Sequence, residues 1–118
     1  MKKMIVLILL IGLSGALAYA SPIIGVPTEK VQSESGYTER LLLSEEQQGQ
    51  SQCIINKIGN SYYWVSRGNV KMLYSRSGIY DVYFAEKGQG YVKIEDGKKY
   101  IEHAHIGLKT VTYWGKIQ

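Results

Sequence analysis

From residue 51 onward, apolar and polar positions alternate in short runs that glycines separate. These glycines recur every 8–10 residues, at positions 59, 68, 78, 88, 97, 107 and 115. Turn residues at such intervals between runs rich in Tyr, Val, Ile and Trp are typical of all-β domains. The pattern predicts seven strands, over residues 52–58, 61–66, 70–75, 79–86, 91–95, 98–103 and 109–114.

The side-chain alternation and the turn residues support this reading. In the run 79–86, Tyr80, Val82 and Phe84 share one face and Asp81 lies on the other. Gly59-Asn60 and Gly68-Asn69 suit two-residue turns with glycine first, and Asp96-Gly97 suits a mirror-image type I turn. Only residues 100–108 leave an alternative open, because they could also close as a helical turn. We therefore expect a mainly β fold, an antiparallel meander of about six or seven short strands that forms a small barrel or a sandwich.

Residues 21–50 differ in character from the part that follows. The first half of this segment holds both prolines and many small polar residues, which predicts an extended or flexible lead-in. Residues 38–48 are rich in Leu, Glu and Gln, which are good helix formers, and Gly49 follows them. We expect a flexible or partly helical lead-in over 21–50, with one short helix, ahead of a β-rich domain over 51–118.

The first twenty residues have the organisation of a cleavable signal peptide. Lys2 and Lys3 precede an apolar run of fifteen residues, and Ala18-Tyr19-Ala20 offers the small-x-small pattern of a cleavage site. The run is shorter than the about 20 residues that a spanning helix needs. We expect cleavage after Ala20, a periplasmic or secreted location in a bacterium, and no stable membrane insertion afterwards.

Removal of this segment changes the charge of the chain. The full sequence carries +4, but two of its fourteen basic residues lie in the signal, which leaves +2 on the remaining 98 residues. Residues 51–118 carry ten bases and five acids. This mild excess fits contact with an anionic envelope polymer, whereas nucleic-acid binding needs a denser basic patch and is not expected. Cys53 is the single cysteine, so no internal disulfide can form, and its apolar run predicts burial.

Aromatic residues are the most prominent candidates for a binding surface. Tyr62, Tyr63 and Trp64 are consecutive, so on a strand they place rings on both faces. These rings could fill the core of a small sheet, or they could form with Arg67 and Tyr80 a surface that stacks against a ligand. The five residues are our candidate binding site, and which of the two roles the aromatics have stays open.

Catalytic and metal-binding signals are weak. His103 and His105 share a strand face at a spacing that can chelate a metal, but a third ligand would have to come from Cys53 or Asp81. A thiol in an apolar strand is normally inert, and the sequence contains no nucleophile elbow, HExxH motif or phosphate loop. We predict no catalytic residues, no bound metal and no cofactor.

Three short blocks carry a resemblance to other proteins. They are Tyr-Tyr-Trp-Val-Ser-Arg at 62–67, Ser-Gly-Ile-Tyr at 77–80 and Gly-Gln-Gly-Tyr-Val at 88–92. Together they resemble blocks found in a group of small exported proteins of Gram-negative bacteria. The resemblance spans roughly residues 53–115 and implies an exported, β-rich domain, but it implies no activity. Periplasmic lysozyme inhibitors carry a Ser-Gly-x-x-Tyr loop, whereas here Tyr80 comes one residue early and Asp81 holds the position of the tyrosine.

Taken together, the sequence predicts an exported, non-catalytic binding domain whose partner is a protein or a cell-envelope polymer. One alternative is an inhibitor of an envelope or host hydrolase that inserts a loop such as 75–79 into the enzyme. A further alternative is a metal- or thiol-dependent enzyme.

Overall fold

The computed structural model describes residues 21–118, so the predicted signal peptide and its cleavage site lie outside the described residues. Over this range the chain is mainly β, with nine antiparallel strands in one sheet. Within residues 21–118 no helix is long and apolar enough to cross a membrane. The elements are β1 (Ile23–Glu34), β2 (Tyr37–Leu42), α1 (Glu45–Gln50), β3 (Cys53–Ile58), β4 (Ser61–Trp64), a 3-10 turn (Val65–Arg67), β5 (Val70–Ser77), β6 (Tyr80–Ala85), β7 (Gly90–Glu95), β8 (Lys99–Ile106) and β9 (Lys109–Ile117).

The sheet closes on itself through its first strand. Strands β3 to β9 pair with their neighbours in chain order, and β1 pairs with β3 along one side and with β9 along the other. Closure makes this a single barrel-like layer and not the two stacked sheets of a sandwich. Strand β2 pairs with the distal half of β1, on the edge opposite β9, so it adds an edge strand to the closed sheet.

The seven strands predicted after residue 51 each coincide with an observed strand. The predicted total of six or seven is nevertheless wrong, because the structure adds β1 and β2 within residues 21–50. The prolines of this segment argued against a strand, because proline has no amide hydrogen to donate to the hydrogen-bonded ladder of a sheet. Pro27 is tolerated because the pairing of β1 with β9 is irregular between Pro27 and Glu29. The segment predicted as a flexible lead-in therefore supplies the strand that closes the sheet.

The predicted helix exists, but it begins later than expected. The prediction covered 38–48, whereas residues 37–42 pair with β1 and α1 spans Glu45–Gln50. The start is set by Ser44, whose hydroxyl accepts a hydrogen bond from the Gln47 amide at 3.2 Å while the Gln47 side chain accepts one from the Ser44 amide at 2.9 Å. This reciprocal cap satisfies amides that the first helical turn leaves free.

Two of the three predicted turns have the expected conformation. Gly59-Asn60 joins Ile58 to Ser61 directly, and Asp96 and Gly97 both have positive φ. Gly68-Asn69 is not a two-residue turn, because β4 ends at Trp64 and the 3-10 turn intervenes. That turn is held to β3 by the Ile54 amide, which donates to the Ser66 hydroxyl at 3.0 Å. Residues 100–108 form a strand and its turn, so the helical alternative is wrong.

The interior of the closed sheet is packed with alternating side chains from all its strands. Buried apolar residues of this core include Cys53, Ile55, Trp64, Met72, Tyr83, Val92, Ile94 and Tyr100. The closing strand must approach closely, and a Cβ added at Gly25 would lie 2.6 Å from Cε1 of Tyr100. A Cβ at Gly115 would meet the backbone carbonyl of Val26 at 2.1 Å. Both glycines therefore let β1 seat against its neighbours.

Strand β6 is apolar on both faces. Tyr83 and Ala85 are buried in the interior, so the face that Tyr80, Val82 and Phe84 share points outward. Phe84 is 46% exposed. A sheet that covers its core with one face alone does not require this second apolar face, so the outer side chains of β6 are available for contact with another molecule.

Candidate functional site

The structure does not bring the five predicted site residues together. Trp64 is fully buried at 0% exposure, and Tyr62, two residues earlier, also faces the interior. Tyr63 faces outward on β4 and is half-buried, while Tyr80 lies on β6. Arg67 is the last residue of the 3-10 turn, and its side chain contacts the buried Glu102. It also lines a cavity of about 160 Å³ with Gln89 and His105. Trp64 therefore cannot belong to an exposed binding surface, whereas the other four residues are partly exposed at separate places.

Trp64 and Arg67 belong instead to a buried polar cluster centred on Glu102. The indole Nε1 of Trp64 donates to Glu102 Oε2 at 2.8 Å, and Arg67 Nε donates to the same oxygen at 3.2 Å. Glu102 is 0% exposed, and its other oxygen, Oε1, has no hydrogen-bond partner in the described part of the chain. A buried carboxylate needs such donors, because leaving it unpaired costs several kcal/mol.

Burial dominates the electrostatics of this cluster. Desolvation raises the pKa of Glu102, and Arg67 and the Trp64 hydrogen bond oppose that rise. Desolvation also raises the pKa of the Cys53 thiol, and the neighbouring charge of Glu102 adds to the effect. The predicted burial of Cys53 is confirmed. Its thiol stays protonated at neutral pH, which is the opposite of what a nucleophilic cysteine requires.

Three tyrosines on the inward-facing side of β4, β5 and β6 form an aromatic cluster that runs from the buried Tyr83 to Tyr74, which is 43% exposed. The ring centroids of Tyr62, Tyr74 and Tyr83 lie 5.0–5.5 Å apart, a spacing at which aromatic rings attract. The Tyr74 hydroxyl donates to Asp81 Oδ1 at 2.5 Å, and Arg76 Nη1 donates to the same oxygen at 2.8 Å. The sequence left open whether the aromatic rings fill the core or contact a ligand. Tyr62 and Trp64 pack in the core.

The two histidines lie on the outer face of β8. Their ring centroids are 5.0 Å apart, and His103 Nδ1 is 2.9 Å from the Thr112 hydroxyl. Burial and the neighbouring His105 lower the pKa of His103. Cys53, one of the third ligands considered, lies inside the closed sheet. No cluster of three metal-ligating side chains occurs among residues 21–118.

A groove on the outer face crosses four strands, β6 to β9. It has a volume of about 270 Å³. Its outward-facing lining residues are Tyr80, Lys93, Glu95, Lys99, Ile101 and Trp114. We call this the Tyr80–Trp114 groove.

Strand register explains why these residues meet. Tyr80 pairs with Glu95 on the next strand, and Glu95 pairs with Lys99. Ile101 pairs with Lys93 on one side and with Trp114 on the other. Residues directly opposite each other across antiparallel strands project from the same face. The row Tyr80–Glu95–Lys99 and the row Lys93–Ile101–Trp114 therefore form one continuous surface.

The groove is basic, and its lysines are poorly neutralised. The ammonium group of Lys93 lies 4.3 Å from the centroid of the Tyr80 ring, a cation–π contact. Lys99 is directly opposite Lys116, which adjoins the groove. Like charges in such a position destabilise a sheet. None of the ion pairs found within residues 21–118 includes Lys93, Lys99 or Lys116.

Sequence reasoning found Tyr80 but missed Lys93, Lys99 and Trp114. In β7 the side chains alternate, so Lys93 points away from the buried Val92 and Ile94 and lies on the outer face. Alternation could not show which residues of other strands lie beside Lys93, because that depends on register.

Comparison with known proteins gives no relative. No protein-family model matches the chain, and no curated protein or solved structure is significantly similar to it. The resemblance to small exported proteins of Gram-negative bacteria therefore stays a prediction.

Proposed function

We propose that this protein is an exported, non-catalytic binding domain that acts in the periplasm or outside the cell. The observation that carries the proposal is the Tyr80–Trp114 groove, which combines two aromatic side chains with lysines that form no ion pair within residues 21–118. Tyr and Trp offer a flat apolar ring with a polar tip, which suits them to contact a ligand while they remain partly in water. The site differs from the one predicted from sequence, but Tyr80 belongs to both.

A second observation supports the same surface. The outer face of β6 continues the groove with Val82 and the exposed ring of Phe84, and Phe84 lies directly opposite Tyr91 on β7. Since the core is already filled from the inner face, these outer side chains contribute little to packing. A contiguous apolar surface of this kind commonly marks a site of interaction.

The proposal is tested by cosedimentation with washed cell-envelope material. The double variant Tyr80→Ala/Trp114→Ala removes both aromatic walls, and we expect its bound fraction to fall at least tenfold. Tyr37→Ala/Leu42→Ala serves as the matched control, because it also removes two partly or largely exposed apolar side chains but lies on β2. Equal retention of wild type and the groove variant, with both folded by thermal melt, would exclude the groove as the binding site.

The inhibitor alternative retains one specific observation in its favour. Ile79 is 48% exposed at the turn between β5 and β6, and just behind it Asp81 accepts hydrogen bonds from Tyr74 and Arg76. These contacts brace the hairpin, and a rigid loop loses less entropy when it enters an enzyme cleft. A panel of lysozymes and proteases tests this function. Inhibition that Ile79→Asp abolishes and the groove variant leaves intact would favour the hairpin over the groove.

A further inference from the structure

We infer that the ligand of the Tyr80–Trp114 groove is a glycan chain that carries negative charges, such as carboxylate or phosphate groups. This inference rests on the proposed binding function and names the chemistry of its ligand. It depends on three features of the groove: the nature of its walls, the distribution of its charge and the pairing of its strands.

The walls favour sugar rings. The side chains of Tyr80 and Trp114 lie on the outer strands of the groove, with Lys93 and Ile101 on the strands between them. The apolar C–H face of a pyranose stacks on an aromatic ring, while its hydroxyl groups remain in water. The volume of about 270 Å³ lies just under the roughly 300–1,000 Å³ of pockets that enclose small molecules. A groove of this size seats one or two units of a chain whose remainder stays outside.

The charge distribution favours an anionic chain. Lys93, Lys99 and Lys116 surround the groove, and Glu95 is the carboxylate that faces them. Lys99 lies between Glu95 and Lys116 in the register, so Glu95 can offset part of the charge and leaves an excess of two positive charges. An anion bound between Lys99 and Lys116 would relieve their mutual repulsion, which the free protein tolerates at a cost in stability.

The pairing of the strands argues against an extended acidic peptide as the ligand. Peptides commonly bind sheets by adding a strand to a free edge. Every strand of the groove, from β6 to β9, is paired on both of its edges. Recognition in the groove must therefore be by side chains alone, which suits a chain of sugar rings.

The two tryptophans allow a direct test by fluorescence. Trp64 is fully buried and Trp114 lines the groove, so a ligand-dependent change in emission or in acrylamide quenching reports on Trp114. The probes are tetragalacturonate as the anionic glycan, cellotetraose as its neutral counterpart and a pentaglutamate peptide as the acidic non-sugar. We expect tetragalacturonate to protect Trp114 from acrylamide and to bind at least tenfold more tightly than either other probe. Trp114→Phe should abolish the signal.

Two double variants with the same change in net charge show whether the lysines of the groove bind the ligand or whether the overall charge of the protein attracts it. Lys93→Gln/Lys99→Gln should weaken tetragalacturonate binding at least tenfold. Lys71→Gln/Lys87→Gln makes the same change in net charge at exposed positions outside the groove and should change the affinity less than twofold. Binding should also weaken as salt is raised from 50 to 300 mM, since exposed charges are screened.

Each of the remaining outcomes would overturn either the ligand class or the proposed function. Equal binding of cellotetraose and tetragalacturonate would overturn the requirement for charge, and preferential binding of pentaglutamate would overturn the glycan. If none of the probes protects Trp114 while Tyr80→Ala/Trp114→Ala still abolishes envelope cosedimentation, the ligand class is wrong and the proposed function stands. If that variant cosediments like wild type, the proposed function itself fails.

Discussion

The buried cluster around Glu102 and the Tyr80–Trp114 groove are built from the same kinds of residue, yet they have opposite roles. Each combines an indole ring, a cation and a carboxylate. In the cluster, Trp64 and Arg67 both donate to Glu102, so most of the polar groups are used up within the protein. In the groove, Lys93 lies over the face of the Tyr80 ring, and neither Lys93 nor Glu95 forms an ion pair within residues 21–118.

The difference between the two regions lies in burial and partners, and it decides what each can do. Desolvated groups that hydrogen-bond mainly to one another take part in the fold and are not accessible to a ligand. An exposed set with unused charge adds little stability and is free to bind. Mutations should therefore separate the two regions, because changes in the cluster should affect unfolding and changes in the groove should affect binding.

The largest difference is expected between the two tryptophans. Trp64→Ala should lower the free energy of unfolding by about 3–5 kcal/mol, because it opens a cavity in the core and removes a donor from Glu102. Trp114→Ala should cost about 1 kcal/mol, as for a typical partly exposed site. Urea denaturation followed by circular dichroism measures both. Similar losses for the two variants would contradict the contrast between core and groove.

Removal of Arg67 should have the next largest effect. Arg67→Met keeps the aliphatic packing but leaves Glu102 without its cation, and we expect a loss of about 3 kcal/mol at pH 8. Without Arg67 the pKa of Glu102 rises further, so protonation at pH 5 should recover much of the loss. A loss of the same size at both pH values, measured by urea denaturation, would mean that the Glu102 charge is not its cause.

The pH dependence of the wild type follows from the same carboxyl group. Burial raises the pKa of Glu102 above its ordinary value of 4.5, so the folded state binds its proton more tightly than the unfolded state does. The stability that this group contributes is fully present below pH 4.5 and is lost as pH rises through the raised pKa. Glu102→Gln should remove this decline, and Glu95→Gln in the groove serves as the control. Unchanged pH curves for Glu102→Gln would exclude it as the source.

The smallest effect on the free energy of unfolding is expected for Lys116, beside the groove. In contrast to the tryptophan and Arg67 substitutions, this one should stabilise the fold. Lys116→Glu replaces the repulsion across from Lys99 with an attraction, which should raise the free energy of unfolding by about 0.2–1 kcal/mol. The same change should weaken tetragalacturonate binding, because it removes positive charge from the site. Thermal melts at low and high salt measure the gain, which should shrink as salt rises. A destabilised variant would show that Lys99 and Lys116 do not repel each other.

The sequence predicted most of the strands because their signals are local. Glycines spaced by 8–10 residues marked the turns, and alternation marked the runs between them. The prediction for residues 21–50 was wrong because their strands are stabilised by pairing with distant parts of the chain. Strand β1 pairs with β3 and β9, and Pro27 is tolerated at an irregular point in the pairing with β9. Intrinsic preference for strand formation is weak wherever such tertiary contacts decide.

The candidate site was harder to predict because it depends on register and on the orientation of each strand. Tyr62, Tyr63 and Trp64 place aromatic rings on both faces, so alternation could not reveal which face is buried. The groove draws residues from four strands that lie up to 34 positions apart in sequence, from Tyr80 to Trp114. No local pattern brings such residues together, whereas a closed antiparallel register does.

The free edge of β2 bears on how copies of the protein behave toward one another. A two-fold antiparallel pairing of two such edges would bring one residue opposite its own counterpart at the centre. The two registers that overlap most of Tyr37–Leu42 are centred on Glu39 or on Arg40, so they would oppose two carboxylates or two guanidinium groups. The Glu39-centred register is repulsive, whereas in the Arg40-centred register each guanidinium group already pairs with Glu29 of its own chain. Charged residues on an edge strand commonly disfavour the joining of two sheets. Within residues 21–118 no strand pairs with the outer edge of β2, so we expect Glu39 to be the residue that most disfavours edge-to-edge pairing of two copies.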